Sequence, residues 1–268
     1  MSAEALYAVD DLGGRIRWGI HVLADGQPVF SVNPHNVFST ASVGKVFLLS
    51  ALSKALCEGS IQPDYRLPRT KEDWVGDSGI WQFMAEDELS VETLAVLIAA
   101  VSDNLATNVT LRHIGISACH AISDQVGIPQ TRLLDRIRDF RGPDDPPRPS
   151  QGRAEDLARF MDMVAVRQVV SEQVSARMEH WLSINTDLSM VASALRLDPI
   201  AHADGMAGTR LFNKTGTDSG VRADTGCFEK AGTRISYAVL VNWTPGEVSD
   251  ATVVDEMARI GAHILTYA

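Results

Sequence analysis

One stretch constrains the fold more than any other: Phe38-Ser39-Thr40-Ala41-Ser42-Val43-Gly44-Lys45, followed by an apolar run through residues 46–56. The spacing predicts a helix over residues 43–57. Its apolar positions (Val43, Val46, Phe47, Leu48, Leu49, Ala51, Leu52, Ala55 and Leu56) go nearly all the way round, so the helix is expected to be buried on most sides. Ser42 and Lys45 stand at its first turn, three residues apart on one face and within reach of each other. Burial strips water from a lysine and disfavours its charged form. A neutral amine beside a hydroxyl can take its proton and make it a nucleophile. The amides at a helix N-terminus also favour negative charge developing nearby. The same two residues fit a plain N-cap serine and a lysine that reaches solvent, so the pair alone does not decide.

The 268 residues can bury a large core, as one large domain or two intimate ones. A formal net charge of −10 argues against binding a nucleic-acid backbone. The arginines between residues 132 and 153 are interleaved with Asp135, Asp139, Asp144 and Asp145 and form no basic patch. No apolar run approaches the length of a membrane span. Cys57, Cys119 and Cys227 are far apart and odd in number, so neither a zinc spacing nor a disulfide framework follows. The seven histidines, His113 and His120 among them, show no metal-ligand spacing. Neither a metal nor an organic cofactor is implied. Met1-Ser2-Ala3-Glu4 lacks the basic-then-apolar order of a signal peptide. The expectation is a cytoplasmic protein; the alternative is an exported one whose signal was removed and replaced by Met.

Taken in order, residues 3–11 read as a short helix stopped by Gly13-Gly14. Ile16, Trp18, Ile20 and Val22 alternate along a strand, Asp25-Gly26 makes a hairpin turn, and residues 28–32 return. Residues 62–77 are polar and loop-like. Gly76-Asp77-Ser78-Gly79 mimics the serine motif of chymotrypsin-like proteases, but helical periodicity follows it, so it reads as a turn. Residues 91–101 form an apolar helix behind Ser90 as its cap, and residues 105–113 and 118–126 continue helical. Residues 129–149, rich in proline and charge, fit no regular element and read as a long surface loop of the kind that edges a site. Helices are expected over 154–170, 171–181 and 188–195, a break at 204–208, strands at 211–214, 224–228 and 235–242, and a closing helix over 250–267 with the stripe Val253, Met257, Ile260 and Ile264. The first and last parts can share one sheet: residues 1–63 and 205–268 form a discontinuous α/β domain, and 64–204 a helical domain inserted into it.

Three polar signatures now stand in one order: Ser42-x-x-Lys45, Ser102-Asp103-Asn104 and Lys214-Thr215-Gly216. The chain thereby resembles the class A β-lactamase and penicillin-binding protein superfamily. Gly13-Gly14-Arg15-Ile16, Ser78-Gly79-Ile80, the block from Val101 through Asn108, Thr131-Arg132-Leu133, and Thr217 followed by Gly220 and Arg222 carry the likeness over nearly the whole length. The resemblance implies an antiparallel sheet flanked by helices with an inserted helical domain, and it implies roles. Ser42 attacks a carbonyl and is acylated, with Lys45 as base. Ser102 passes a proton to the leaving nitrogen. Asn104 bonds the substrate's side-chain amide. Lys214 supplies positive charge near the substrate carboxylate and Ser102, while Thr215 and Thr217 offer it hydroxyls. Gly216 completes the motif. Backbone N–H groups of Ser42 and Thr217 form an oxyanion hole, and Arg222 pairs with the carboxylate. The implied partner is a small-molecule amide or β-lactam bound by a monomer, with neither nucleic acid nor membrane.

One departure matters. Class A β-lactamases carry a Glu shortly after the Thr-Arg-Leu stretch, where it positions the water that hydrolyses the acyl-enzyme. Here residues 131–140 contain no Glu. The matching position is Arg138, or Asp139 if the loop is shifted by one residue. An Arg cannot act as base, and Asp is one methylene shorter. Acylation chemistry is therefore complete on paper and deacylation is not. Two alternatives use the same scaffold: an intracellular amidase, D,D-peptidase or esterase, and a non-catalytic protein that keeps the pocket.

Overall fold

A computed structural model describes residues 14–203 and 208–268. The helix expected over 3–11 and most of the break at 204–208 lie outside the described residues. The chain opens with a hairpin of β1 (Ile16–Ala24) and β2 (Gln27–Val32). Its turn puts Asp25 at φ 47° and Gly26 at φ 78°, the two left-handed residues that a twisted two-residue hairpin needs. Near the other end come β8 (Arg210–Asp218), β9 (Val221–Lys230) and β10 (Thr233–Trp243). The first hairpin joins them through β1, which pairs antiparallel with β10 from Ile16↔Trp243 to Ala24↔Ile235. The result is one five-stranded sheet in the order β2-β1-β10-β9-β8.

Alternation gives each sheet face its own core. Trp18, Ile20 and Val22 share one face with Ile235, Tyr237, Val239 and Val241, and Val253, Met257, Ile260 and Ile264 of the closing helix α7 (Asp250–Ile264) cover it. The other face offers Ala223, Cys227, Ala238 and Leu240 to the helical side. There α1 (Lys45–Cys57) is enclosed, as its all-round apolar pattern requires. Around it lie α2 (Val91–Val101), α3 (Asn104–Ile114), α4 (Ile116–Gln125) and α6 (Glu172–Leu182). The helix α5 (Ala154–Ala165) falls within the helical insert by sequence but packs on β1, β9 and β10.

Several boundaries differ from the sequence reading, each for a local reason. The first helix does not start at 43. Ala41–Gly44 form a tighter 3₁₀ turn, and the α-helix begins at Lys45. Gly44 is pressed against Ser150, where a Cβ would collide with the Ser150 side chain. The polar stretch 62–77 contains β4 (Arg66–Pro68), which pairs with β5 (Glu88–Ser90), and a 3₁₀ turn at Lys71–Asp73. The long loop is interrupted by β6 (Arg132–Leu133), which pairs with β7 (Ser150–Gly152), and β7 also pairs with β3 (Phe38–Ser39). The helix expected to reach 170 stops at Ala165, because Arg167 (φ 65°) and Val170 (φ 60°) adopt left-handed backbone. Only residues 191–195 of the segment 188–195 are helical, as a 3₁₀ turn. Among the described residues no helix is long and apolar enough to cross a membrane.

Candidate active site

The 3₁₀ turn that holds Ser42 leads directly into Lys45, the first residue of α1. With three residues per turn, positions i and i+3 lie one above the other. Ala41, just before the nucleophile candidate, adopts φ 46°, a conformation most L-residues avoid. Ser42 is half-buried at the cleft, whereas Lys45 is fully buried. Lys45 Nζ lies 2.6 Å from Ser102 O, 2.7 Å from Asn104 Oδ1 and 3.1 Å from Ser102 Oγ. Burial, and next the charge of Lys214, hold its pKa well below the usual lysine range, against the opposing pull of Asp103 and Asp77. The two carbonyl oxygens can only accept, so they take two N–H groups. A neutral amine then keeps one lone pair.

Ser102 reaches this point because α2 ends on it in left-handed conformation, φ 55° and ψ 34°. Asp103 starts α3 as its cap. Its buried carboxylate accepts the Ala106, Ile80 and Trp81 amide N–H groups, each at 2.8 Å, and so ties the 76–81 loop to the helix start. Gly79, at φ 116°, is bare because a Cβ would strike Asp103. Replacing Asp103 by Ala would leave three amides without acceptors. We expect a loss of about 3 kcal/mol or more, read as a fall in melting temperature of roughly 6–12 °C. Asn104 is drawn into the same scaffold: its Nδ2 donates to Gly76 O (3.2 Å), and its backbone N–H donates to Ser78 O (3.0 Å).

Lys214 comes from β8, at the sheet's edge. Its Nζ is 3.1 Å from Ser102 Oγ and 2.9 Å from Thr215 O. The Ser102 hydroxyl therefore stands between two lysines, 3.1 Å from each. Burial lowers the Lys214 pKa to about 8, with Asp187 and Asp224 pulling the other way. Asp224 is itself fully buried and pushed up to about 6. It accepts from Asn213 Nδ2 (3.0 Å), Tyr237 OH (3.1 Å) and the Ala192 amide (3.2 Å). Asn213 in turn accepts from Asn185 Nδ2 at 2.9 Å, which fastens residues 185–187 along β8.

Two lobes of one cleft meet at Ser42, Ser78 and Thr217. One, about 160 Å³, is bordered by Ser102, Thr215 and residues 185–187. The other, about 210 Å³, is bordered by Asn104, residues 75–77, Asp218 and the 137–141 loop with Arg138 and Asp139. Gly216 is the point of closest approach between β8 and the Ser42 turn, where a Cβ would collide with Thr40 O. Asp139 Oδ1 accepts the Gly76 amide at 3.0 Å. The Arg138 guanidinium is held by Asp135 (2.7 Å) and Asp145 (3.1 Å). The structure thus brings together Ser42, Lys45, Ser102, Asn104, Lys214, Thr215, Gly216, Thr217 and Asp139. Arg222 stands apart. It pairs with Thr217 in the strand register, but Asp250 (2.6 Å) and the carbonyls of Asp218 (3.0 Å) and Val221 (2.8 Å) hold its guanidinium, and it does not border either lobe. Sequence reasoning missed residues 185–187 as a wall, since nothing local marks them. It read Ser78 as a turn; the chain bends there and places Ser78 in the cleft.

A model of the β-lactamase enzyme family matches residues 3–268. The chain belongs to that family. Among solved structures this family member is similar to a β-lactamase from Sphaerobacter thermophilus DSM 20745, with TM-score 0.84 and 22% identity over 99% of this chain and 96% of that one. It is similar to PBP-A, with TM-score 0.82 and 19% identity over 98% and 94%, and to an ancestral class A β-lactamase, with TM-score 0.82 and 23% identity over 99% of each chain. At these identities the likeness establishes the fold. No curated protein matches the chain in sequence. Family and fold together indicate a serine hydrolase. Among the described residues no cluster of His, Cys, Asp or Glu is arranged to hold a metal.

Proposed function

We propose that this β-lactamase-family chain is a monomeric serine acyl-transfer enzyme that reacts with β-lactams through Ser42 and releases the acyl group slowly. The observation that carries the reading is the buried Lys45 amine, bonded to two carbonyl oxygens and held toward its neutral form. In the reaction, Lys45 Nζ takes the Ser42 hydroxyl proton as Oγ bonds to the substrate carbonyl carbon. The carbonyl electrons move to oxygen, toward the N–H groups of Ser42 and Thr217. Lys45 returns the proton through the Ser102 hydroxyl, 3.1 Å away, to the amide nitrogen as the C–N bond breaks. Charged Lys214, with Thr215 and Thr217, receives the substrate carboxylate.

Release requires a base to deprotonate a water at the ester. Of the two residues at the expected place, Arg138 cannot act as a base and is held by Asp135 and Asp145, while Asp139, one methylene shorter than Glu, has Oδ1 taken by the Gly76 amide. Mixing with a chromogenic cephalosporin should give a burst of about one equivalent, then turnover slower than acylation by about 10²-fold or more. Mass spectrometry should find the acyl adduct on Ser42. The reading fails if there is neither adduct nor hydrolysis. Ester turnover without penicillin reactivity would move the substrate to another amide or ester class on the same residues.

A further inference from the structure

Ser150 takes no part in the chemistry above, yet it is fully buried beneath the turn that carries Ser42. It opens β7, the strand paired on one side with β3, which leads into that turn, and on the other with β6. Two groups lie at hydrogen-bond distance from its hydroxyl. The Ala41 carbonyl, at 2.6 Å, can only accept, so the Ser150 proton goes there. Thr40 Oγ1, at 2.7 Å, therefore donates to Ser150 Oγ. The Thr40 amide meets Ser150 O at 3.5 Å, and Gly44 packs on the Ser150 side chain. One residue thus grips Thr40, Ala41 and Gly44, on both sides of Ser42.

The grip acts on a strained link. Ala41 sits at φ 46°, which its Cβ disfavours. The Ala41 carbonyl and the Ser42 N–H belong to one rigid trans peptide and point in opposite directions. A donor that fixes the carbonyl on the buried side turns the N–H outward to the cleft. We propose that Ser150 is a positioning residue for acylation, which through the Ala41–Ser42 peptide aims the Ser42 N–H at the developing oxyanion. The inference rests on the proposed acylation of Ser42 and adds a residue that none of the three sequence signatures contains.

Single-turnover acylation of Ser150→Ala by the chromogenic cephalosporin, with melting temperatures measured alongside, tests it. An oxyanion donor acts on the transition state, so the acylation rate constant should fall about 10- to 100-fold while substrate Kd stays within about two-fold. Inhibition by a boronic acid, whose tetrahedral adduct places an oxygen in the same hole, should weaken by a similar factor. Glycine adopts φ 46° without a Cβ penalty. Adding Ala41→Gly to Ser150→Ala should therefore restore the rate several-fold. Unchanged acylation, a loss carried by Kd alone, undiminished boronate affinity, or a variant that no longer melts cooperatively each overturns the positioning role. If the parent forms no Ser42 adduct, the functional reading fails first and this inference falls with it. A reactive parent beside an unimpaired variant sinks this inference alone.

Discussion

Lys45→Met should lower the acylation rate constant by about 10³-fold, within the range for loss of a general base, while leaving the fold in place. Met matches the length of the lysine stem and suits the apolar surroundings of α1. It leaves two acceptors, Ser102 O and Asn104 Oδ1, without their donor. That costs stability on the scale of about 1–3 kcal/mol per buried group, and relief of the burial of an ionisable amine opposes the loss. A modest change in melting temperature with a collapsed acylation rate is the expected combination. Retention of more than about a tenth of the parent rate would remove Lys45 from the role of base and return the Ser42-Lys45 pair to ordinary helix-start chemistry.

The second large effect concerns Lys214 and is read most clearly in pH. Lys45 must be neutral to accept a proton, so acylation rises with pH through its depressed pKa. Lys214 must be charged to hold a carboxylate, and it loses that charge as pH rises through about 8. For substrates with a carboxylate, kcat/KM should describe a bell whose falling limb lies near pH 8. Lys214→Ala should reduce kcat/KM by about 10²-fold, since a positioned charge is lost beside the reacting groups. It should also remove the falling limb. The charge of Lys214 is one cause of the low Lys45 pKa, so the rising limb should move to higher pH in the same variant. A Lys214→Ala profile with both limbs in their parental places would disprove the coupling of the two amines across Ser102.

The sequence made some of this legible and hid the rest for identifiable reasons. The all-round apolar pattern of residues 46–56 and the stripe of α7 describe faces that are in fact covered. Ser90 caps α2 at the predicted place, its hydroxyl accepting the Thr93 amide. The sheet strands run past their expected ends, β8 to Asp218 and β9 from Val221 to Lys230, and the alternation rule also fails inside them. Asn213, Lys214, Asp224 and Thr225 are fully buried inside β8 and β9, where an alternation rule expects polar residues to face water. Each instead has a partner from a distant segment or a neighbouring strand: Asn185 for Asn213, Ser102 for Lys214, Tyr237 for Asp224 and Thr225. The three signatures name residues that the fold gathers, but not what gathers them. Neither the 185–187 wall nor the Ser150 clamp has a local pattern. Arg222 shows the converse, a residue in the right strand whose guanidinium is taken by Asp250 on α7.

The pairing of β1 with β10 sets a rule for how this molecule comes into being. Ile16 waits for Trp243, and the whole helical insert must be threaded between them. A chain emerging from the ribosome can bury α1 among its neighbouring helices early, but its first hairpin has no sheet to join until the last strands arrive. Closure over so long a span is slow, and the unpaired hairpin edge stays adhesive meanwhile. Synthesis cut short before residue 233 would leave α1 formed beside an unfinished sheet.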